Sequence, residues 1–174
     1  MTAKRFWRRE VNKRSRQYVG LLSAILAYYF IHEGAHFAYA LATGVFKQIN
    51  FMGLGVQIDV YSDKMSESQL GVFCLLGSVA TLAVAFLLVA FAKKICRAES
   101  KLFKACMYSI TIAMLVVDPL YLSLLCGFFG GGDMNGIALI IPQPAARLVY
   151  GAILAFDLWV LIKIVLPEYK LSFK

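Results

Sequence analysis

Long blocks of apolar residues are the feature that most restricts how this chain can fold. They occupy residues 18–42, 70–92, 105–126 and 147–166 of the 174, and a helix of about 20 residues crosses the hydrocarbon core of a bilayer. Hydrophobic residues make up 60% of the chain, far above the share in soluble globular proteins. The sequence therefore predicts an all-α membrane protein with about four transmembrane helices.

The basic residues predict how those helices are oriented. Seven precede the first block and five lie between the second and third, whereas only Lys47 and Lys64 lie between the first and second. Cytoplasmic loops collect Lys and Arg, so we expect both termini in the cytoplasm of a bacterial cell, residues 44–69 outside, and the chain in the plasma membrane. The net charge of +8 then orients the chain and contacts lipid head groups, and no nucleic-acid partner is expected.

The chain is expected to form one membrane-embedded domain, 18–174, after a basic cytoplasmic tail, 1–17. The first apolar block is too long for a cleaved signal peptide. Residues 45–61 are rich in strand formers, with Val56, Ile58 and Val60 alternating with Gln57, Asp59 and Tyr61 after a turn bracketed by Gly53 and Gly55, which predicts a membrane-associated β-hairpin after the first span. Residues 127–147 are rich in glycine and proline, and they form either a re-entrant loop before the last span or an ordinary external loop.

The stretch "HEGAH" places His32, Glu33 and His36 inside the first apolar block. Histidines at i and i+4 share one helix face, so both imidazoles can reach one cation. Ionisable groups are costly at a helix centre, which favours a zinc site over histidines that merely bond neighbouring carbonyls. We expect one Zn²⁺ held by His32 and His36, with Glu33 as the general acid and base for a water molecule.

A third ligand must come from elsewhere, because the chain has no other histidine. Asp133, Asp118 and Asp157 are the candidates, in that order. Three glycines before Asp133 allow its backbone to approach the first helix, whereas either of the other two acids could instead bond an imidazole N–H. The four cysteines lack metal-ligand spacing and are expected to pack as small apolar residues.

These motifs resemble the site-2 protease family of intramembrane zinc metalloproteases. The order "HEGAH" at 32–36, the hairpin at 45–61, "GSVAT" at 77–81 and "GGGDMNG" at 130–136 is similar to the order of motifs in that family. The chain has Ser78 and Thr81 where the family has Pro and Asn, and Met134 and Asn135 separate Asp133 from its glycine. The resemblance implies His32, His36 and Asp133 as zinc ligands.

The resemblance also implies an activity, the hydrolysis of a peptide bond in a membrane-spanning or membrane-associated substrate. Asn135, Thr81, Gln57 and Ile58 are the expected substrate-binding residues. An unwound substrate could pair with a free edge of the hairpin, or the hairpin could simply cover the end of the bundle. The charge pattern places the metal near the extracytoplasmic side, whereas familiar members of the family cleave nearer the cytoplasm.

Two other functions fit the sequence. One is a zinc-binding membrane protein that grips a partner helix without cutting it, which would share the ligands. The other is a small transporter that uses Asp118 and Asp157 as a proton relay and needs no metal.

Overall fold

The computed structural model describes residues 12–52 and 55–173. Most of these residues are helical, and two short strands follow the first helix. The elements are α1 Lys13–Thr43, β1 Phe46–Met52, β2 Gly55–Val60, α2 Glu67–Ala90, α3 Ala92–Cys96, α4 Lys101–Leu120, α5 Asp133–Ile137, α6 Gln143–Val160 and α7 Leu166–Ser172. Residues 1–11 of the predicted tail and Gly53 of the predicted turn lie outside the described residues.

Three of the described helical segments are long and apolar enough to cross a membrane. They are Glu67–Ala90, Lys101–Leu125 and Gln143–Ser172, which coincide with the second, third and fourth predicted spans. Helix α1 is long enough at 31 residues, but it carries the polar "HEGAH" stretch and is not among the three. A fourth span therefore stays a prediction.

The hairpin is confirmed. Strands β1 and β2 pair antiparallel with Ile49 opposite Ile58, and an irregularity interrupts the register between Phe46 and Gln48. Helix α1 ends at Thr43, and Gly44, which follows it with a left-handed φ of 71°, turns the chain toward β1. The hairpin is thus attached at the end of α1 that lies nearest the "HEGAH" stretch.

The core has two apolar clusters with a polar layer between them. The cluster nearer the hairpin includes Ala40 of α1, Cys74 of α2 and Leu122 after α4. The far cluster includes Ala85 of α2 and Met114 of α4. All four cysteines are free thiols. A layer of buried polar side chains lies between these two clusters. It consists of His32 and His36 of α1, Ser78 and Thr81 of α2, and Asp118 of α4.

Two interruptions shape the part of the bundle that follows α4. Pro119 lies inside α4 and cannot donate a backbone hydrogen bond, and a π-helical turn, Tyr121–Leu125, follows immediately. A glycine-rich loop then leads into α5, in which Met134, Gly136 and Ile137 are buried. The 127–147 segment therefore lies partly inside the bundle, and its depth in a membrane stays a prediction.

Candidate metal centre

The two histidines converge as the spacing predicts. His32 and His36 lie one turn apart on α1, both are buried, and their Nε2 atoms are 3.2 Å apart. The rest of α1 is mostly apolar and exposes large side chains such as Phe30. The same helix therefore presents an apolar surface outward and two imidazoles inward.

Asp133 completes the group, from a position about a hundred residues further along the chain. Its Oδ2 atom lies 3.0 Å from Nε2 of His32 and 3.5 Å from Nε2 of His36. Among the described residues these three side chains are the group that could hold a metal ion. Three ligand atoms around one tetrahedral zinc would lie about 3.3 Å apart, given bond lengths of about 2.0 to 2.1 Å.

A loop of consecutive glycines delivers Asp133 to this position. The backbone φ angles of Gly130, Gly131 and Gly132 are 78°, 87° and 47°, and residues other than glycine rarely adopt such positive values. A Cβ atom on Gly131 would also lie 2.1 Å from Oδ1 of Asn135. The side-chain amide of Asn135 donates to the carbonyl of Gly130 at 3.0 Å, so Asn135 closes the loop on itself.

The outer nitrogens of both imidazoles are already occupied. Nδ1 of His36 lies 2.9 Å from the carbonyl oxygen of Phe73, and Nδ1 of His32 lies 3.2 Å from Oδ2 of Asp118. A carbonyl can only accept, and an ionised carboxylate also accepts, so each Nδ1 carries the ring hydrogen in the neutral imidazole. Each Nε2 therefore presents a lone pair to the other and to Asp133.

That arrangement fits a cation. Two nitrogen lone pairs and a carboxylate oxygen repel one another at these distances, and a metal ion among them would turn the repulsion into coordination. Space is also kept for one, because a Cβ on Gly77 of α2 would lie 2.6 Å from Nε2 of both histidines. The close approach of α2 thus depends on glycine at this position.

Asp118 holds His32 from the side opposite Asp133. Its carboxylate accepts from the hydroxyl of Tyr28 on α1 and from the hydroxyl of Thr81 on α2, besides His32. Asp118 was second among the predicted third ligands, and the structure places it on the outer nitrogen instead. Thr81, an expected substrate contact, is fully buried and bonds Asp118.

Glu33 points to a cavity beside the metal group. This cavity of about 620 Å³ is lined by Glu33, His36 and Asp133, by the whole of β2, and by parts of α2 and the glycine loop. Three of the expected substrate-binding residues, Gln57, Ile58 and Asn135, are in its lining. The Oε2 atom of Glu33 accepts a hydrogen bond from the backbone N–H of Ile58 at 3.1 Å.

Asp157 lies apart from the centre. It is fully buried in α6, and within the described part of the chain neither of its oxygens has a hydrogen-bond partner. It is also absent from the metal group. The structure therefore places the three predicted acids in different positions. Asp133 lies beside the Nε2 atoms of both histidines, Asp118 lies beside Nδ1 of His32, and Asp157 lies apart from both histidines.

Sequence reasoning missed two parts of the centre. Tyr28 lies four residues before His32, so its place on the same helix face was readable from spacing. The carbonyl of Phe73 had no such signal, because every residue carries a backbone carbonyl.

No protein-family model matches the chain, and neither a curated protein nor a solved structure matches it.

Proposed function

We propose that this chain is an intramembrane zinc metalloprotease that hydrolyses a peptide bond in a membrane-spanning or membrane-associated substrate, similar to site-2 proteases. The observation that carries the proposal is that His32, His36 and Asp133 converge, and that His36 and Asp133 line one cavity together with Glu33. Catalytic zinc sites use three protein ligands and leave a fourth position for water or substrate. Two imidazoles and one carboxylate match that donor set.

The residues of the chain divide the chemistry among them. A bound zinc ion would polarise the scissile carbonyl and lower the pKa of a coordinated water toward about 7. Glu33, next to His32 and facing the cavity, takes the proton from the water and returns it to the leaving amine. Asp118 and the Phe73 carbonyl hold the two imidazoles in the tautomer that leaves Nε2 free to coordinate.

The proposal includes a fourth span and an orientation. Helix α1 would be that span, since a metal at its centre offsets the cost of burying its polar groups in lipid. Lys13, Arg14 and Arg16 at its start, together with the basic link between α2 and α4, favour a cytoplasmic N-terminus. The cavity, which lies toward the hairpin end of α1, would then open toward the extracytoplasmic side.

The substrate would bind as an extended strand. A peptide bond inside a membrane helix is shielded by helical hydrogen bonds, so the substrate must unwind before Glu33 and the metal can act on it. Strand β2 borders the cavity, and among the described residues it pairs with β1 alone. Its other edge can therefore add a substrate strand, which favours this role over a simple cover for the bundle.

Metal content and hydrolysis, measured on the same preparations, test the proposal. The wild-type chain in lipid nanodiscs should carry one zinc ion and cut a transmembrane peptide drawn from a library of bacterial membrane segments. Glu33→Gln should retain the zinc and lose cleavage, and His36→Ala should lose both. Glu99→Gln, an exposed acid outside the site, should retain both. Full cleavage by Glu33→Gln would rule out the proposed mechanism.

One observation favours a second candidate, a small proton-coupled transporter. Asp157 is buried without a hydrogen-bond partner among the described residues, as a carboxyl that carries a proton would be. That function requires Asp157 and no zinc, whereas the protease requires zinc and tolerates Asp157→Asn. Assays of Asp157→Asn and of chelator-treated protein separate the two.

A further inference from the structure

Glu33 contacts β2 through the backbone N–H of Ile58. A substrate strand that paired with this edge of β2 would use the same N–H as a donor. The N–H of Ile58 donates to Oε2 of Glu33 at 3.1 Å. Ile58 lies opposite Ile49 of β1, and every second pair in an antiparallel ladder exchanges no backbone hydrogen bonds. The hydrogen therefore points away from β1 and into the cavity. In an antiparallel pair such outward positions alternate, which places the N–H and C=O groups of Val56 and Val60 on the same edge.

All three residues of that edge line the cavity. Val56, Ile58 and Val60 border it together with Glu33 and Asp133. A peptide strand that adds to β2 would use their N–H groups as donors. Ile58 has a single amide hydrogen, so a well-formed bond to the peptide and the present bond to Glu33 are alternatives.

We propose that the hairpin restrains Glu33 until an extended substrate pairs with β2 and takes the Ile58 N–H. This inference rests on the proposed function and adds a regulation of the same site. Without substrate, one carboxylate oxygen of Glu33 is occupied by the strand. With substrate, the peptide carbonyl replaces that oxygen on the Ile58 hydrogen, and Glu33 is released beside the bond to be cut.

The restraint has an energetic consequence that binding can measure. Substrate must break a hydrogen bond to a charged acceptor, and such bonds stabilise by more than neutral ones. Removing the Glu33 carboxylate should therefore strengthen peptide binding, even though it removes the catalytic base. A residue that contacted the substrate directly would give the opposite result.

The test uses the full chain in nanodiscs, washed with chelator so that the probe is not cut. The probe is a blocked, neutral peptide of alternating valine and threonine with a fluorophore, so charge repulsion from Glu33 plays no part. We expect Glu33→Ala to bind it about tenfold more tightly than wild type. Glu33→Gln should fall between, because its amide oxygen still accepts from Ile58 without the charge. Glu99→Ala is the matched control and should bind like wild type.

A second pair of variants isolates the shared hydrogen. Proline is tolerated where a strand N–H does not enter the ladder, so Ile58→Pro removes the hydrogen. In that background Glu33→Ala should leave the affinity unchanged, whereas in Ile58→Val, which keeps the hydrogen, the tenfold gain should persist.

Three results would overturn the inference: no peptide binding to any variant, equal or weaker binding by Glu33→Ala, or a gain that survives in Ile58→Pro. These measurements need neither zinc nor turnover. A failure to find proteolysis would therefore leave a positive binding result standing, and a negative binding result would leave proteolysis standing.

Discussion

Gly77 lies where any side chain would enter the space between the two histidines. Its Cβ would be 2.6 Å from both Nε2 atoms, so Gly77→Ala must push the rings apart or occupy the position of the ion. We expect zinc affinity to fall at least tenfold, to about the extent seen when residues supporting a metal ligand are changed. Titration against a competing chelator measures the change.

Gly34 supplies the matched control for that experiment. It lies between the two histidines in the sequence, but a Cβ there would meet nothing within 4 Å. Gly34→Ala should therefore keep wild-type zinc affinity, and alanine should stabilise the helix by up to about 1 kcal/mol. Equal zinc affinity in Gly77→Ala and Gly34→Ala would contradict the assigned role of α2.

Asp118 should matter to the metal without touching it. Asp118→Asn retains the shape of the side chain but removes the charge that attracts the Nδ1 hydrogen of His32. We expect zinc affinity to fall by about 10- to 100-fold, with the helical content unchanged by circular dichroism. Asp157→Asn, which changes a buried acid remote from the centre, should leave the affinity at the wild-type value.

At the residue scale, the sequence predicted the two histidines of the metal group more firmly than the acid that joins them. Histidines at i and i+4 face the same way on any α-helix, so His32 and His36 could be paired from spacing alone. Asp133 and Asp118 could only be ranked, because which acid reaches Nε2 depends on the path of the glycine loop. That path is set by three left-handed residues in succession, whose combined direction no spacing rule gives.

The glycine loop is the element that brings Asp133 to α1. Gly131→Ala would place a Cβ 2.1 Å from Asn135 at a φ of 87°, which costs of order 1 to 3 kcal/mol in strain alone. We expect the loop to shift and zinc binding to be lost. Gly127→Ala, in the same segment with open space around it, should bind zinc normally, and loss of zinc from both variants would argue against a specific role for Gly131.

An ion pair between Lys47 and Asp59 joins the two strands of the hairpin, so the pKa of Asp59 depends on whether the hairpin is folded. Lys47 Nζ lies 3.0 Å from Oδ2 of Asp59, and the hydrogen bond from Lys47 lowers the pKa of Asp59 below its ordinary value. Stability from the pair is therefore present above the ordinary pKa of aspartate, and it is lost as the pH falls through the lowered pKa. In Lys47→Met the pKa of Asp59 should rise, which carboxyl chemical shifts measured against pH would show.

At the element scale, alternation of apolar and polar residues predicted the hairpin, and the length of the apolar blocks predicted the three helices that are long and apolar enough to cross a membrane. Alternation of the apolar residues Val56, Ile58 and Val60 with polar neighbours is the pattern of a half-buried strand. The π-helical turn after α4 was not predictable, because Pro119 signals a disturbed helix without saying whether it kinks, ends or widens. Helix α5 was also missed, since only five residues form it and its burial against α2 comes from tertiary packing.

For the whole molecule, the charge distribution predicts which side of the membrane the cavity faces. In a chain with its native cysteines replaced by alanine, Gln48→Cys on the hairpin should react with an impermeant maleimide in intact spheroplasts. Glu99→Cys, in the basic link between α3 and α4, should react only after the membrane is opened. The reverse pattern would show that the cavity faces the cytoplasm.

The proposed function of the whole molecule requires that His32, His36 and Asp133 hold one zinc ion and leave one position open. X-ray absorption at the zinc edge of the purified protein tests this most directly. We expect nitrogen and oxygen neighbours alone, at about 2.0 to 2.2 Å, two of them imidazoles, with one light neighbour that azide can displace. A sulfur neighbour at about 2.3 Å, which would bring in a cysteine such as Cys74, or a fourth protein ligand that azide cannot displace, would contradict it.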